Sequence, residues 1–366
     1  MWTMIGTYNY LLYTADTSFV QRNWSKYLKA MTYIYKKVSS TSGLLIQTGT
    51  RDWARWATGS NNTQANMILY RTLLTSASLA TWLNDTTGLN DTWLNRATDL
   101  RTAITKHTFD TKYGAFRDNA TSTTLYPQDA NSMALLFGVI PPTDPRATSI
   151  SSALTKNWSP IGAVAPELPQ NISPFISSFE IQAHLTVGRA DRALDLIRRS
   201  WGWYQNHPNG TGSTVIEGYL VNGTFGYRSN RGYGYDASYV SHAHGWSSGP
   251  TSTLTEWILG LSVTGPAGRS WVVRPQFGDL KTAEGGFVTK LGKFRAKWEV
   301  VDGGYWIDVE TPRGTEGELV LPLMKEGVFP SFVMNGKRQE SSAVKIEGRS
   351  MRMIVVGGEY RIEVSE

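Results

Sequence analysis

The sequence predicts a mainly α-helical chain with a C-terminal all-β domain. Two observations carry this. Up to about residue 262 the apolar residues recur at helical spacing, in segments that turn back on one another through short Gly- or Asp-containing turns. After about residue 263 the period drops to two. The boundary falls near Gly265-Pro266, giving an incomplete (α/α) toroid over 1–262 and a small antiparallel β-sandwich over 263–366.

The elements follow in order. Asp16 is placed to N-cap a helix whose apolar positions Val20, Trp24, Tyr27, Leu28, Met31, Ile34 and Tyr35 make one face. Asp144-Pro145 starts another, with a cap followed by proline at the first helical position. SPFISSFEIQAHLTVG and RADRALDLIRRSWGWY read as two helices joined at Gly188. Eight or nine such arms alternate with long loops at 43–63, 110–122, 158–172 and 206–248, where function usually sits. In the last hundred residues Phe294, Ala296, Trp298 and Val300 alternate with charged residues. Asp302-Gly303-Gly304 marks a turn, and Ile307/Val309 and Tyr360/Ile362/Val364 alternate likewise.

Composition excludes several classes. The net charge of +6 is spread without a Lys/Arg block, so no nucleic-acid partner is expected. No run of 18 apolar residues marks a helical membrane span, so no membrane partner is expected either. The absence of cysteine removes disulfides, zinc-thiolate sites and cysteine nucleophiles together. The 14 Trp and 17 Tyr suit a sugar cleft, because pyranose C–H faces pack on rings while their N–H and O–H groups reach hydroxyls. Nine of the 17 asparagines stand in N-x-S/T sequons, all before residue 225, which points to a glycosylated, secreted lineage. The opening MWTMIGTYNYLLYTAD has neither basic n-region nor small-residue cleavage site, so it is no signal peptide. It reads as the inside of a domain already under way.

Three loop stretches carry candidate chemistry. TRDWARW sets Asp52 beside Trp53, a hydroxyl acceptor next to an apolar platform. GTGSTVIEGY places one carboxylate, Glu217, among small residues, with Tyr219, Phe225 and Tyr227 near enough in sequence to shield it. Unshielded, it would be one more solvated glutamate. YRSNRGYGYDASYVSHAHGW gathers tyrosines, Asp236, His242, His244 and Trp246. The two histidines stand at i, i+2 with no carboxylate at ligand spacing, so a neutral His serving a sugar hydroxyl or a carboxylate is expected, and no metal or other cofactor. The fourth stretch, SSGPTSTLTEWILGL, reads as a structural helix start with small residues packing closely.

TRDWARW, GTGSTVIEGY and SHAHGWSSGPTSTLTEWILGL, in this order and separation, resemble the C-terminal half of a fungal α-L-rhamnosidase of glycoside hydrolase family 78. The resemblance covers nearly the whole chain. It implies an (α/α)6 barrel of the six-hairpin glycosidase type, the β-sandwich that follows it, and inverting hydrolysis of terminal α-L-rhamnose from a glycoside or oligosaccharide. By the same resemblance Glu217 stands at the general base, Asp52 and Trp53 contact the sugar, His244 matches the histidine before the last barrel helix, and Trp2 corresponds to a further platform tryptophan. The family's general acid glutamate lies in a motif of the type D-x-x-x-x-E/R-D-R-x-x-W-x-G-D, and these 366 residues hold no copy of it. An inverting glycosidase uses two carboxyl groups, one protonating the leaving oxygen and one activating water. The expectation is therefore an N-terminally truncated chain of weak or absent activity. Two other readings remain open on the residues: a non-catalytic carbohydrate-binding remnant, and an (α/α)-toroid polysaccharide lyase with Tyr233, Tyr235 or His244 as base and Arg228 and Arg231 facing a uronate.

Overall fold

The computed structural model describes all residues except 50–58, 123, 229–231, 326–329, 341, 343 and 366. It divides into two compact units, Met1–Tyr8 with Gln21–Pro250, and Asn9–Val20 with Thr251–Glu366.

Helices α1 (Trp2–Thr14) and α2 (Thr17–Tyr35) are joined at Ala15-Asp16. The Asp16 carboxylate accepts the Phe19 N–H at 3.0 Å, the expected cap, and all seven positions of the expected α2 face are buried or half-buried. Helices α3 (Thr63–Trp82) and α4 (Leu89–Thr108) pack along each other, and Asn62 caps α3 by accepting the Ala65 N–H. A short hairpin, β1 (Phe109–Asp110) with β2 (Ala115–Phe116), leads to α5 (Gln128–Leu136) and α6 (Pro145–Thr155). Asp144 caps α6 through the Arg146 N–H at 2.9 Å, with Pro145 at the first turn as expected. Strands β3 (Trp158–Ser159), β4 (Gly162–Ala163) and β5 (Asn171–Ile172) precede α7 (Pro174–Thr186). Helix α7 ends at Gly188, whose φ of 72° lets the Arg189 N–H return to the His184 carbonyl. Helix α8 (Ala190–Ile197) then runs back through a π-helical turn into α9 (Trp203–Gln205). Helix α5 packs on α3, α6 and α7, and α7 on α8.

Among its described residues the expected loop 206–248 carries β6 (Tyr219–Leu220) and two 3-10 turns before α10 (Gly249–Thr253). Strand β6 pairs with β5, which ties this loop to the 158–172 loop. A Cβ on Gly249 would lie 2.1 Å from Ser178 Oγ, so the small residues there do permit close packing.

The second unit holds two sheets, built from β7 (Leu261–Val263), β8 (Ser270–Val273), β9 (Thr282–Thr289), β10 (Gly292–Val301), β11 (Gly304–Glu310), β12 (Glu316–Pro322), β13 (Ser331–Met334), β14 (Lys337–Arg338), β15 (Lys345–Glu347), β16 (Ser350–Val356) and β17 (Glu359–Ser365). One sheet runs β14-β13-β17-β11-β10-β9 and is antiparallel throughout; the other runs β15-β16-β12-β8-β7. One pair in the second sheet departs from the antiparallel expectation: β8 and β12 are parallel, because the chain visits the first sheet between them and returns in the same direction. The alternating residues Phe294, Ala296, Trp298, Ile307, Val309, Ile362 and Val364 are all buried, each large side chain stabilising the fold by roughly 1.5–3 kcal/mol. The Tyr305 hydroxyl donates to the Pro322 carbonyl at 2.7 Å, linking one sheet to the other.

Among the described residues no helix is long and apolar enough to cross a membrane. The sequons are not equivalent. Asn171 is fully buried, its Oδ1 accepting the Arg228 N–H, and Asn119 is nearly so, whereas Asn84, Asn209 and Asn222 are exposed. A glycan cannot attach to the first two in the folded chain.

Candidate active site

The loop holding Glu217 is anchored by apolar contacts first. Ile216, Tyr219, Tyr227 and Val240 pack with Ala165, Leu168, Ile172 and Tyr204 in one buried cluster. Backbone pairing then fixes register: the Glu217 N–H donates to the Ser241 carbonyl at 2.8 Å and the His244 N–H to the Val215 carbonyl at 2.9 Å. Ser247 Oγ donates to the Ile216 carbonyl at 2.7 Å, and the Trp246 indole N–H to the Glu217 carbonyl at 3.3 Å. Gly218 is required here, since a Cβ would stand 2.2 Å from the Tyr227 ring.

These constraints leave the Glu217 carboxylate buried, 2% exposed, rather than solvated. The Tyr233 hydroxyl lies 2.9 Å from Oε1 and 3.1 Å from Oε2, donating to the carboxylate. The Ser241 N–H donates to Oε2 at 3.3 Å, and His244 Nδ1 is 4.0 Å from the same oxygen with its side chain 30% exposed. Burial, then the hydrogen bond to Glu217 and its charge, push the Tyr233 phenol above its ordinary value. A buried carboxylate with a half-exposed imidazole beside it can hold and deprotonate a water, or take up a proton from one.

A row of rings leads away from this point. His244 lies 4.1 Å from Trp246, Trp246 stacks on Phe175 at 5.2 Å, Phe175 meets Phe179 at 5.2 Å, and Phe179 meets Trp2 at 5.8 Å. Trp2 is 43% exposed.

Two family models match the sequence. The bacterial α-L-rhamnosidase 6-hairpin glycosidase domain matches residues 1–160, and the bacterial α-L-rhamnosidase C-terminal domain matches residues 260–330. Both matched models are domains of bacterial α-L-rhamnosidases, so the chain is similar to that family over these two stretches. A GH78 family rhamnosidase of Bacillus sp. GL1 superposes with a TM-score of 0.66 at 26% identity, over 81% of this chain and 30% of that one. The α-L-rhamnosidase of Dictyoglomus thermophilum (TM-score 0.74, 13% identity, 97% of this chain and 38% of that one) shares the fold. So does the Streptomyces avermitilis α-L-rhamnosidase complexed with L-rhamnose (TM-score 0.71, 17% identity, 97% and 32%). The chain thus spans about a third of the length of these solved structures. No curated protein matches its sequence significantly.

Of the residues singled out in the sequence, Glu217 and His244 come together, and Trp2 joins them through the ring row. Asp52 and Trp53 lie outside the described residues. Of the three aromatics placed near Glu217 by sequence, Tyr227 sets its ring against Gly218, the next residue. Tyr219 turns its hydroxyl to Ser200 and Ile161, and Phe225 packs on Trp203, His207 and His242. His242 Nδ1 pairs with the Tyr204 hydroxyl at 2.9 Å, and burial lowers its pKa. Among the described residues no group of three His, Cys, Asp or Glu could hold a metal ion. Sequence reasoning passed over Phe175 and Phe179, one turn apart on α7 and indistinguishable there from core. It weighed Tyr233 only as a base, and its contact with Glu217 has no local signature.

Proposed function

We propose that this chain carries the base half of an inverting α-L-rhamnosidase site, acting on terminal α-L-rhamnose of a glycoside or oligosaccharide. Glu217 is the general base: it takes a proton from a water that attacks the anomeric carbon, while the leaving oxygen departs from the opposite face. The observation that carries this reading is the Glu217 carboxylate, 2% exposed on a loop, hydrogen-bonded by Tyr233 and with His244 Nδ1 4.0 Å away. His244 serves a sugar hydroxyl or the water. Trp2, at the far end of the ring row, offers an apolar face, and Asp52 with Trp53 supplies the further sugar contacts. Tyr233 is poorly suited to be a lyase base, since its raised pKa disfavours the phenolate.

The test is hydrolysis of an activated aryl α-L-rhamnoside, followed by NMR of the sugar released first. A good leaving group needs little proton donation, so this substrate isolates the contribution of the base. Turnover giving the β-anomer, lowered about 10²–10⁴-fold in Glu217→Gln, is expected. Equal rates in parent and variant would remove Glu217 from the role. Rhamnoside binding without turnover in a folded sample would favour a carbohydrate-binding protein.

A further inference from the structure

We propose that Tyr233 is a positioning residue for Glu217: its hydroxyl, placed between the two carboxylate oxygens, fixes the carboxylate plane, and Arg228 holds the ring in place. This rests on Glu217 being the general base. A phenol has one proton, and here it faces two acceptors at 2.9 and 3.1 Å, so rotation of the carboxylate in either direction lengthens one contact. Among the described residues the other contacts to the group are longer. The Ser241 N–H stands at 3.3 Å, His244 Nδ1 at 4.0 Å, and the carboxylate is shielded from bulk water. Tyr227 packs against Gly218, the residue after Glu217, and is itself fully buried.

The surroundings of Tyr233 are built to keep it there. The Arg228 guanidinium lies over its ring, 5.1 Å from the centroid, and Tyr239 stacks at 6.0 Å. The Tyr235 N–H donates to the Arg228 carbonyl at 2.9 Å, bringing both ends of this segment together. Gly232 makes room: a Cβ there would stand 2.5 Å from Arg228 Cβ and 2.6 Å from Nε. Arg228 in turn is held through its N–H by Asn171 Oδ1 at 2.8 Å. A base that must present one lone pair to a water gains from having its other directions occupied.

The experiment has two arms. 3-Fluorotyrosine placed at position 233 alone reports its own ionisation by 19F NMR, with or without turnover. In Glu217→Gln the shape is kept and the negative charge removed, so the phenol should ionise more readily, its midpoint falling by about one pH unit relative to the parent. An unchanged midpoint would overturn the proposal. On the aryl rhamnoside, Tyr233→Phe should lower kcat about tenfold with KM within about twofold. A change confined to KM would make Tyr233 a substrate contact instead, and would also overturn it. Glu217→Gln hydrolysing at the parental rate would defeat the base reading itself, whatever the 19F result.

Discussion

Two buried glutamates in the first unit invite comparison. Glu180, on α7, is 0% exposed, and Glu217, on the long loop, is 2% exposed. Each lies near a histidine, His184 Nε2 at 3.3 Å and His244 Nδ1 at 4.0 Å. Glu180 even heads a chain with the residue types of a hydrolase triad, since Ser151 Oγ lies 2.8 Å from His184 Nδ1. Yet Glu180 is saturated. Gln128 Nε2 and the Trp158 indole N–H each donate to it at 2.6 Å, Arg192 donates to Ser151, and His184 is fully enclosed. Among the described residues Glu217 has one phenol shared between its oxygens, one long N–H contact, and a histidine that reaches solvent. Burial alone therefore does not mark a reactive carboxylate. The useful distinction is whether its hydrogen-bonding capacity is already spent on rigid partners.

The sharpest way to break this comparison is to remove each carboxylate and ask what is lost. Glu217→Gln should lose about 10²–10⁴-fold in hydrolysis while urea unfolding shows stability within about 1 kcal/mol of the parent. Glu180→Ala should do the reverse in kind, losing about 3 kcal/mol, because the buried Gln128 amide and the half-buried Trp158 N–H are orphaned at once. If Glu180→Ala unfolds like the parent, its network is not structural and the contrast fails.

Gly218→Ala sharpens the comparison from the side of the loop. The new methyl would meet the Tyr227 ring, so the loop must shift, at a cost of about 1–3 kcal/mol and with a loss of activity beyond what stability explains. Unchanged activity and melting temperature would mean that Tyr227 moves freely and does not set the Glu217 geometry.

The smallest effect belongs to a helix end. Hydrogen bonding from Arg146 holds the Asp144 carboxyl down to about 2. A depressed folded pKa contributes stability above the ordinary aspartate range, lost as pH falls through that range towards about 2. Asp144→Ala should cost about 1 kcal/mol near neutrality and flatten this acid dependence, measured by urea midpoints across the window. An acid dependence identical to that of the parent would assign the loss to other carboxylates.

By itself the sequence determined the helices, their caps and the buried faces of the strands. These are properties of short stretches: Asp16 and Asp144 lie within three residues of the N–H groups they cap, and the apolar faces of α2 and β10 repeat within one element. It also singled out Glu217 and His244 by residue type, their site roles coming from the family resemblance. Only the tertiary structure decided what those residues touch. Tyr233 is 16 residues from Glu217 along a loop with no periodicity, and it arrives there because the β5–β6 pairing and the cluster around Tyr219 and Tyr227 set the course of the chain. The same holds for the sealing of Glu180 by Gln128 and Trp158, and for the burial of the Asn171 sequon. A polar group satisfies its hydrogen bonds with whatever the apolar core brings within reach, and that choice is made by packing between elements rather than by any pattern within one.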